Sequence, residues 1–170
     1  RGVELGRGCA GLAALCESNV EPALAVARWG SEAAREALFG ALAGAGAATG
    51  AAPVAPAIAV MARDFYERLA IEAAGGGGLS LRGRLGPLPG LALAAHLLVA
   101  GRTGAGGPGR GGEPVLLLLP IAGAVAVSPS DPAPSGWRAA AWGTLDLEGA
   151  VVPAGLVLAR GSAALAAVTE

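Results

Sequence analysis

The chain has 170 residues, a formal net charge of −1 and 54% hydrophobic residues. That length suits one ordinary domain with a sizeable core, and the near-neutral charge gives no electrostatic reason to expect nucleic acid or an anionic membrane as a partner. The sequence begins at Arg1 and ends within a regular pattern at Glu170. We therefore expect a fragment of a longer protein, and no signal-peptide pattern is visible at its start.

The first third of the chain has the pattern of helices. Residues 2–18 repeat apolar side chains at helical spacing, and residues 18–19 offer a cap for a short second helix that ends at Gly30. Ser31 is a typical N-cap for the next helix, with the acidic Glu32 in its first turn. The expected apolar stripe of that helix consists of Ala34, Leu38, Ala41 and Leu42.

The two cysteines, Cys9 and Cys16, lie two helical turns apart. This separation is about 10 Å, which is too long for a disulfide within one helix, so we expect two buried free thiols. A metal site would need further ligands nearby, and the single histidine, His96, is distant in sequence. We therefore predict no metal site.

From about residue 47 onwards, short apolar runs between Gly and Pro residues predict β-strands. The predicted strands are residues 57–60, 68–73, 79–85, 95–101, 115–120, 124–128, 139–147 and 151–157. A short helix over residues 63–69 is an alternative for that part of the chain. The predicted turns are residues 75–78, 104–112 and 129–136. Within the last strand pair, Glu148 and Gly149 predict a tight turn, and Pro153 is expected to end the ladder.

The predicted fold class is α+β: N-terminal helices, a mostly antiparallel β-barrel or sandwich domain, and the start of a C-terminal helix at Ser162. The expected boundaries are 1–46 for the end of an N-terminal helical domain, 47–160 for the β-domain, and 161–170 for the opening of a C-terminal helical domain.

An uncharged stretch, residues 38–62, is long enough to cross a bilayer. It is mostly Ala and Gly, however, and it contains Pro53 and Pro56. Such residues raise the hydropathy without providing a strong insertion signal. We therefore expect no membrane span.

Residues 104–109 fit the pattern G-x-G-x-x-G literally. A dinucleotide site also needs a helix directly after the glycines, because the amide groups at its N-terminus bind the pyrophosphate. Here Pro108 and Arg110 precede a strand instead. The pattern therefore predicts a hairpin loop.

Three groups of polar or aromatic residues invite a catalytic interpretation. Asp146 and Glu148 share one face of a strand and could act as an acid–base pair, although a solvated strand face is the commoner case. His96 has no Ser, Cys or Asp partner placed by the sequence, so a structural role at a strand start is favoured. Trp137 and Trp142 flank a turn and either fill the core or line a cleft.

Three stretches in order resemble acyl-CoA dehydrogenases. Residues 28–44 resemble the family's G-[ST]-E-x-Q-[KR] helix. Residues 79–102 resemble its G-[KR]-x-[WF]-[IV]-[ST]-[NG] strand and loop, followed by A-D-x-L-L-V-x-A-R. Residues 145–158 resemble its closing F-x-x-V-x-V-P-x-x-x-V-L strands. The resemblance covers the end of the N-terminal helical domain and the middle β-domain.

The resemblance implies an FAD-dependent oxidoreductase of fatty acid metabolism that performs α,β-dehydrogenation of an acyl-CoA thioester, with hydride transfer to FAD. It implies a cytoplasmic protein, an acyl-CoA substrate, and a homo- or hetero-oligomer of dehydrogenase subunits. The expected FAD contacts are backbone groups at Gly86, Leu88 and Gly90. The family's glutamate base is expected outside this chain, so no catalytic residue is predicted within it.

The chain departs from the family pattern at the flavin contacts. The T-E-P-x-x-G-S-D segment corresponds to residues 49–57, which keep only a proline of it. At the W-[IV]-[ST]-[NG] loop the chain reads Gly86-Pro-Leu-Pro89, so the aromatic ring and the hydroxyl are missing and two N–H donors are lost. Where His96 stands, the family usually has Asp.

Two further interpretations follow from these departures. In one, the chain belongs to a non-catalytic partner subunit that pairs with an active homologue and has lost its own flavin site. In the other, it is a β-barrel interaction module.

Overall fold

A computed structural model describes residues 10–40, 57–62, 69–104, 112–121, 126–129 and 142–169. Within them lie three α-helices, α1 (Ala10–Trp29), α2 (Glu32–Arg35) and α3 (Ser162–Thr169), and a π-helical turn at Glu36–Gly40 directly after α2. The strands are β1 (Ala57–Ala62), β2 (Leu69–Ala73), β3 (Leu79–Leu88), β4 (Ala94–Arg102), β5 (Pro114–Pro120), β6 (Ala126–Pro129), β7 (Gly143–Val152) and β8 (Val157–Arg160).

The N-terminal helix is longer than the sequence predicts. The expected break at residues 18–19 is wrong, because α1 runs through it and contains Pro22 in its interior. A proline inside a helix removes one hydrogen bond and costs about 3 kcal/mol. Pro22, Ala25 and Val26 are buried on one side of α1, and the helix packs on β1. This burial of one helix face offsets the cost of the proline.

Ser31 caps α2 as predicted and also binds the β-domain. Its hydroxyl oxygen accepts a hydrogen bond from the Ala34 N–H at 3.1 Å, and the hydroxyl donates to the carbonyl of Gly155. Ala34 and Leu38 are buried, which confirms this part of the predicted stripe. The other two stripe residues, Ala41 and Leu42, lie outside the described residues.

The strands form two four-stranded sheets. Sheet one has the order β1-β4-β5-β8, with β1 parallel to β4 and the other pairs antiparallel. Sheet two has the order β2-β3-β7-β6 and is antiparallel throughout. Among the described strands the sheets form a sandwich and no closed barrel, so the predicted α+β class is confirmed.

One apolar cluster fills the space between the sheets. Sheet two contributes Ile71, Leu81, Leu85, Leu145 and Leu147, and sheet one contributes Leu97, Val99, Leu117 and Leu119. The alternate residues of β4, Leu98 and Ala100, pack on the opposite side with residues from α1 and α3. Strand β4 is therefore covered on both faces, which explains its unbroken apolar run.

Two bulges keep the apolar residues of β3 and β7 on the inner face. In β7 the buried residues are Leu145 and Leu147, but then Ala150 and Val152, so the alternation shifts by one residue. The ladder absorbs the shift at Gly149, which has φ +85° and lies between the pairs Glu148↔Arg82 and Ala150↔Leu81. The predicted turn at residues 148–149 is thus wrong: this site is a β-bulge within one strand.

The end of β7 leads the chain from one sheet to the other. Pro153 ends the ladder as predicted, and a 3-10 turn at Ala154–Leu156 follows it. The next strand, β8, pairs with β5 in sheet one. The predicted strand 151–157 is therefore wrong, because its residues are divided between β7, the turn and the first residue of β8.

The double role of Ser31 gives a stability prediction. Removing the hydroxyl in Ser31→Ala deletes the cap of α2 and the hydrogen bond to Gly155, so we expect a loss of about 1–2 kcal/mol in the free energy of unfolding, measured by urea denaturation. The control Ser31→Asp keeps a capping oxygen but cannot donate to Gly155, and it should recover part of the loss. Wild-type stability in Ser31→Ala would show that neither bond contributes.

Candidate functional site

The predicted cofactor contacts lie at the corner where β3 leads into β4. The pairing of β3 with β7 shifts between Leu85↔Leu145 and Leu88↔Gly143, so two residues of β3, Gly86 and Pro87, face Thr144 alone. A short 3-10 turn, Leu91–Leu93, then connects to β4. Bulges are frequent beside active sites, because they redirect the chain locally. We call residues 86–90 with the turn 91–93 the β3–β4 corner.

Gly86 is required by the contact between β3 and β7. Its φ is +112°, and a Cβ at this position would lie 2.7 Å from the Gly143 carbonyl oxygen and 2.9 Å from Thr144 Cα. Both neighbours are main-chain atoms that cannot move aside. The absence of a side chain at Gly86 therefore serves the packing of the sheet, and it leaves the main chain of Gly86 as the group available to a ligand.

Leu88 and Gly90 offer no exposed side chain. The Leu88 side chain is only 8% exposed and belongs to the core between the sheets, and Gly90 is buried with φ +79°. Pro87 and Pro89 have no N–H group. Among residues 86–90, the backbone N–H groups are thus those of Gly86, Leu88 and Gly90, and their contact with FAD stays a prediction.

The start of β7 packs directly on this corner. Gly143 is buried, and a Cβ there would lie 2.9 Å from the Ala92 nitrogen and 3.3 Å from Leu91 Cβ. The residues on either side, Trp142 and Thr144, are both half-buried. The sequence singled out Trp142 as an aromatic residue beside a turn, and it predicted Thr144 only as a polar position on the wet face of a strand. In β3 the apolar residues Leu85 and Leu88 are three positions apart instead of two. This break in the apolar–polar alternation was the sequence signal that could have located the bulge at residues 86–87.

His96 lies buried near the start of β4. Its cross-strand neighbours are Ala59 of β1 and Pro120 of β5, so the paired strands bring no acid or nucleophile opposite it. This arrangement agrees with the structural role that the sequence favours.

The two carboxylates of β7 lie on the polar outer face of sheet two. Asp146 forms an ion pair with Arg84 at 3.3 Å, in which the side chains are 44% and 68% exposed, and Glu148 stands opposite Arg82 in the ladder. Exposed ion pairs of this kind contribute little to stability. The interpretation of Asp146 and Glu148 as a solvated strand face is confirmed.

The glycine pattern at residues 104–109 falls in sequence between the antiparallel strands β4 and β5. Strands β4 and β5 are antiparallel, and their ends are joined by hydrogen bonds from the Thr103 N–H to the Glu113 carbonyl and from the Arg102 guanidinium to the Gly112 carbonyl. A strand rather than a helix follows the loop, which confirms the prediction. Residues 105–111 lie outside the described part of the chain.

Several predicted features lie outside the described residues: Cys9, Trp137 and the segment 49–56. Among the residues that the structure describes, no three His, Cys, Asp or Glu side chains come together as a metal site would require. None of the helices in this described part has the length and apolarity needed to cross a membrane.

Comparison with solved structures places this sandwich in a known fold. Glutaryl-CoA dehydrogenase from Mycobacterium smegmatis in complex with FADH2 matches 94% of the chain with a TM-score of 0.66 and 18% identity. TdsC from Paenibacillus sp. A11-2 with FMN and indole matches 92% of the chain with a TM-score of 0.66 and 21% identity. The ChsE4–ChsE5 complex from Mycobacterium tuberculosis matches 89% with a TM-score of 0.59 and 22% identity.

The chain has the acyl-CoA dehydrogenase fold. It spans 39% of the length of the glutaryl-CoA dehydrogenase chain and 36% of each of the other two. No family model and no curated protein sequence matches it. The described strands are consistent with the middle domain of this fold, and described helices precede and follow them in sequence.

The close packing around Gly86 predicts that a side chain at this position destabilises the fold. We expect Gly86→Ala to lower the free energy of unfolding by about 2 kcal/mol or more, because the new Cβ meets main-chain atoms at a positive φ. The matched control is Gly75→Ala, where no atom lies within 4 Å of the new Cβ and φ is not positive. Its stability should stay within about 0.5 kcal/mol of wild type. Equal effects in the two variants would disprove the constraint at Gly86.

The two carboxylates should be dispensable. Because both lie on an exposed strand face, we expect Asp146→Asn and Glu148→Gln each to change the free energy of unfolding by less than about 1 kcal/mol and to leave any bound cofactor in place. Thermal melting and the absorption spectrum of each purified variant test this. If either variant lost its cofactor without unfolding, the carboxylate that it replaces would have a role in cofactor binding.

Proposed function

We propose that this chain is the middle portion of an acyl-CoA dehydrogenase-like flavoprotein. The observation that carries the proposal is the fold, which matches over most of the chain a dehydrogenase described with FADH2 and a protein described with FMN. The motifs at residues 28–44, 79–102 and 145–158 support the same family independently of the fold. The proposed reaction is α,β-dehydrogenation of an acyl-CoA thioester with hydride transfer to FAD.

The β3–β4 corner is the proposed flavin contact. Its main-chain N–H groups at Gly86, Leu88 and Gly90 can donate hydrogen bonds to the carbonyl and nitrogen acceptors of a flavin ring. When bound, the flavin supplies the two-electron acceptor for the reaction.

The chain's own contribution at this corner is to position the ring. The Leu88 side chain is anchored in the core and Gly86 is packed against Gly143 and Thr144, so these donors are held rigidly. Rigid donors lose little entropy when they bind a ligand. The catalytic base is proposed to lie outside this chain.

The same proposal includes assembly and location. Since the chain covers less than half of the structures that it resembles, we propose that the active protein is longer and works as a homo- or hetero-oligomer. A match to a protein solved as a complex, ChsE4–ChsE5, supports an oligomer. Cytoplasmic location and a role in fatty acid metabolism are further parts of this proposal.

A second function is a partner subunit that binds no flavin. It is favoured by the prolines at positions 87 and 89 and by the absence of any acid or hydroxyl in residues 50–57. Such a subunit would keep the fold and pair with an active homologue. The interaction-module hypothesis differs from it in predicting no association with a dehydrogenase subunit.

The visible absorption spectrum of the purified protein tests these alternatives. We expect a flavin band that loses intensity when butyryl-CoA or octanoyl-CoA is added, and release of FAD on denaturation, identified by chromatography. Folded protein without a flavin band would reject the flavoprotein. Co-purification with a flavin-containing dehydrogenase would then support the partner subunit, and its absence would support the interaction module.

A further inference from the structure

We draw no further inference here: the strongest candidate, the exposed apolar stripe that Val20 and Leu24 form on α1, carries no proposal, because nothing in the structure shows what covers it.

Discussion

The pairing of β3 with β7 is the constraint on which the rest of the structure depends. It is the central ladder of sheet two, and its buried leucines form one wall of the core. Each strand contains one residue too many for simple alternation, at Gly149 in β7 and at residues 86–87 in β3. Because a shift of one residue turns every following side chain to the other face, these two bulges are what keep Leu88 and Val152 inside together with Leu81 and Leu145.

The two bulges have different consequences for function. The one at Gly149 lies beside the exposed Glu148 and leads towards Pro153, where the chain passes to the other sheet. The one at residues 86–87 brings the start of β7 against the β3–β4 corner and orders the main chain there. The proposed flavin site therefore depends on the register between β3 and β7. The packing that completes the core also fixes the main chain at the corner.

The outer faces of the two sheets differ: helices cover that of sheet one, and that of sheet two is polar and exposed. Sheet one is covered by α1 and α3, whose small residues Ala25 and Ala164 pack against Leu98 and Leu116. Sheet two keeps a polar outer face with the Arg84–Asp146 ion pair. Ser31 ties the helical segment to the 3-10 turn at Gly155, so the helices, the crossing between the sheets and the β-domain form one unit.

Local chemistry in the sequence determined the α+β class, the positions of most strands, the cap at Ser31, the hairpin at residues 75–78 and the rejection of a dinucleotide motif at residues 104–109. Each of these depends on neighbouring residues, through alternation, capping or the conformational freedom of glycine. Only the tertiary structure decided that α1 continues through Pro22, that Gly149 is a bulge rather than a turn, and that Gly143 and Thr144 meet Gly86. These features depend on contacts between segments distant in sequence, where burial of apolar surface outweighs local preference.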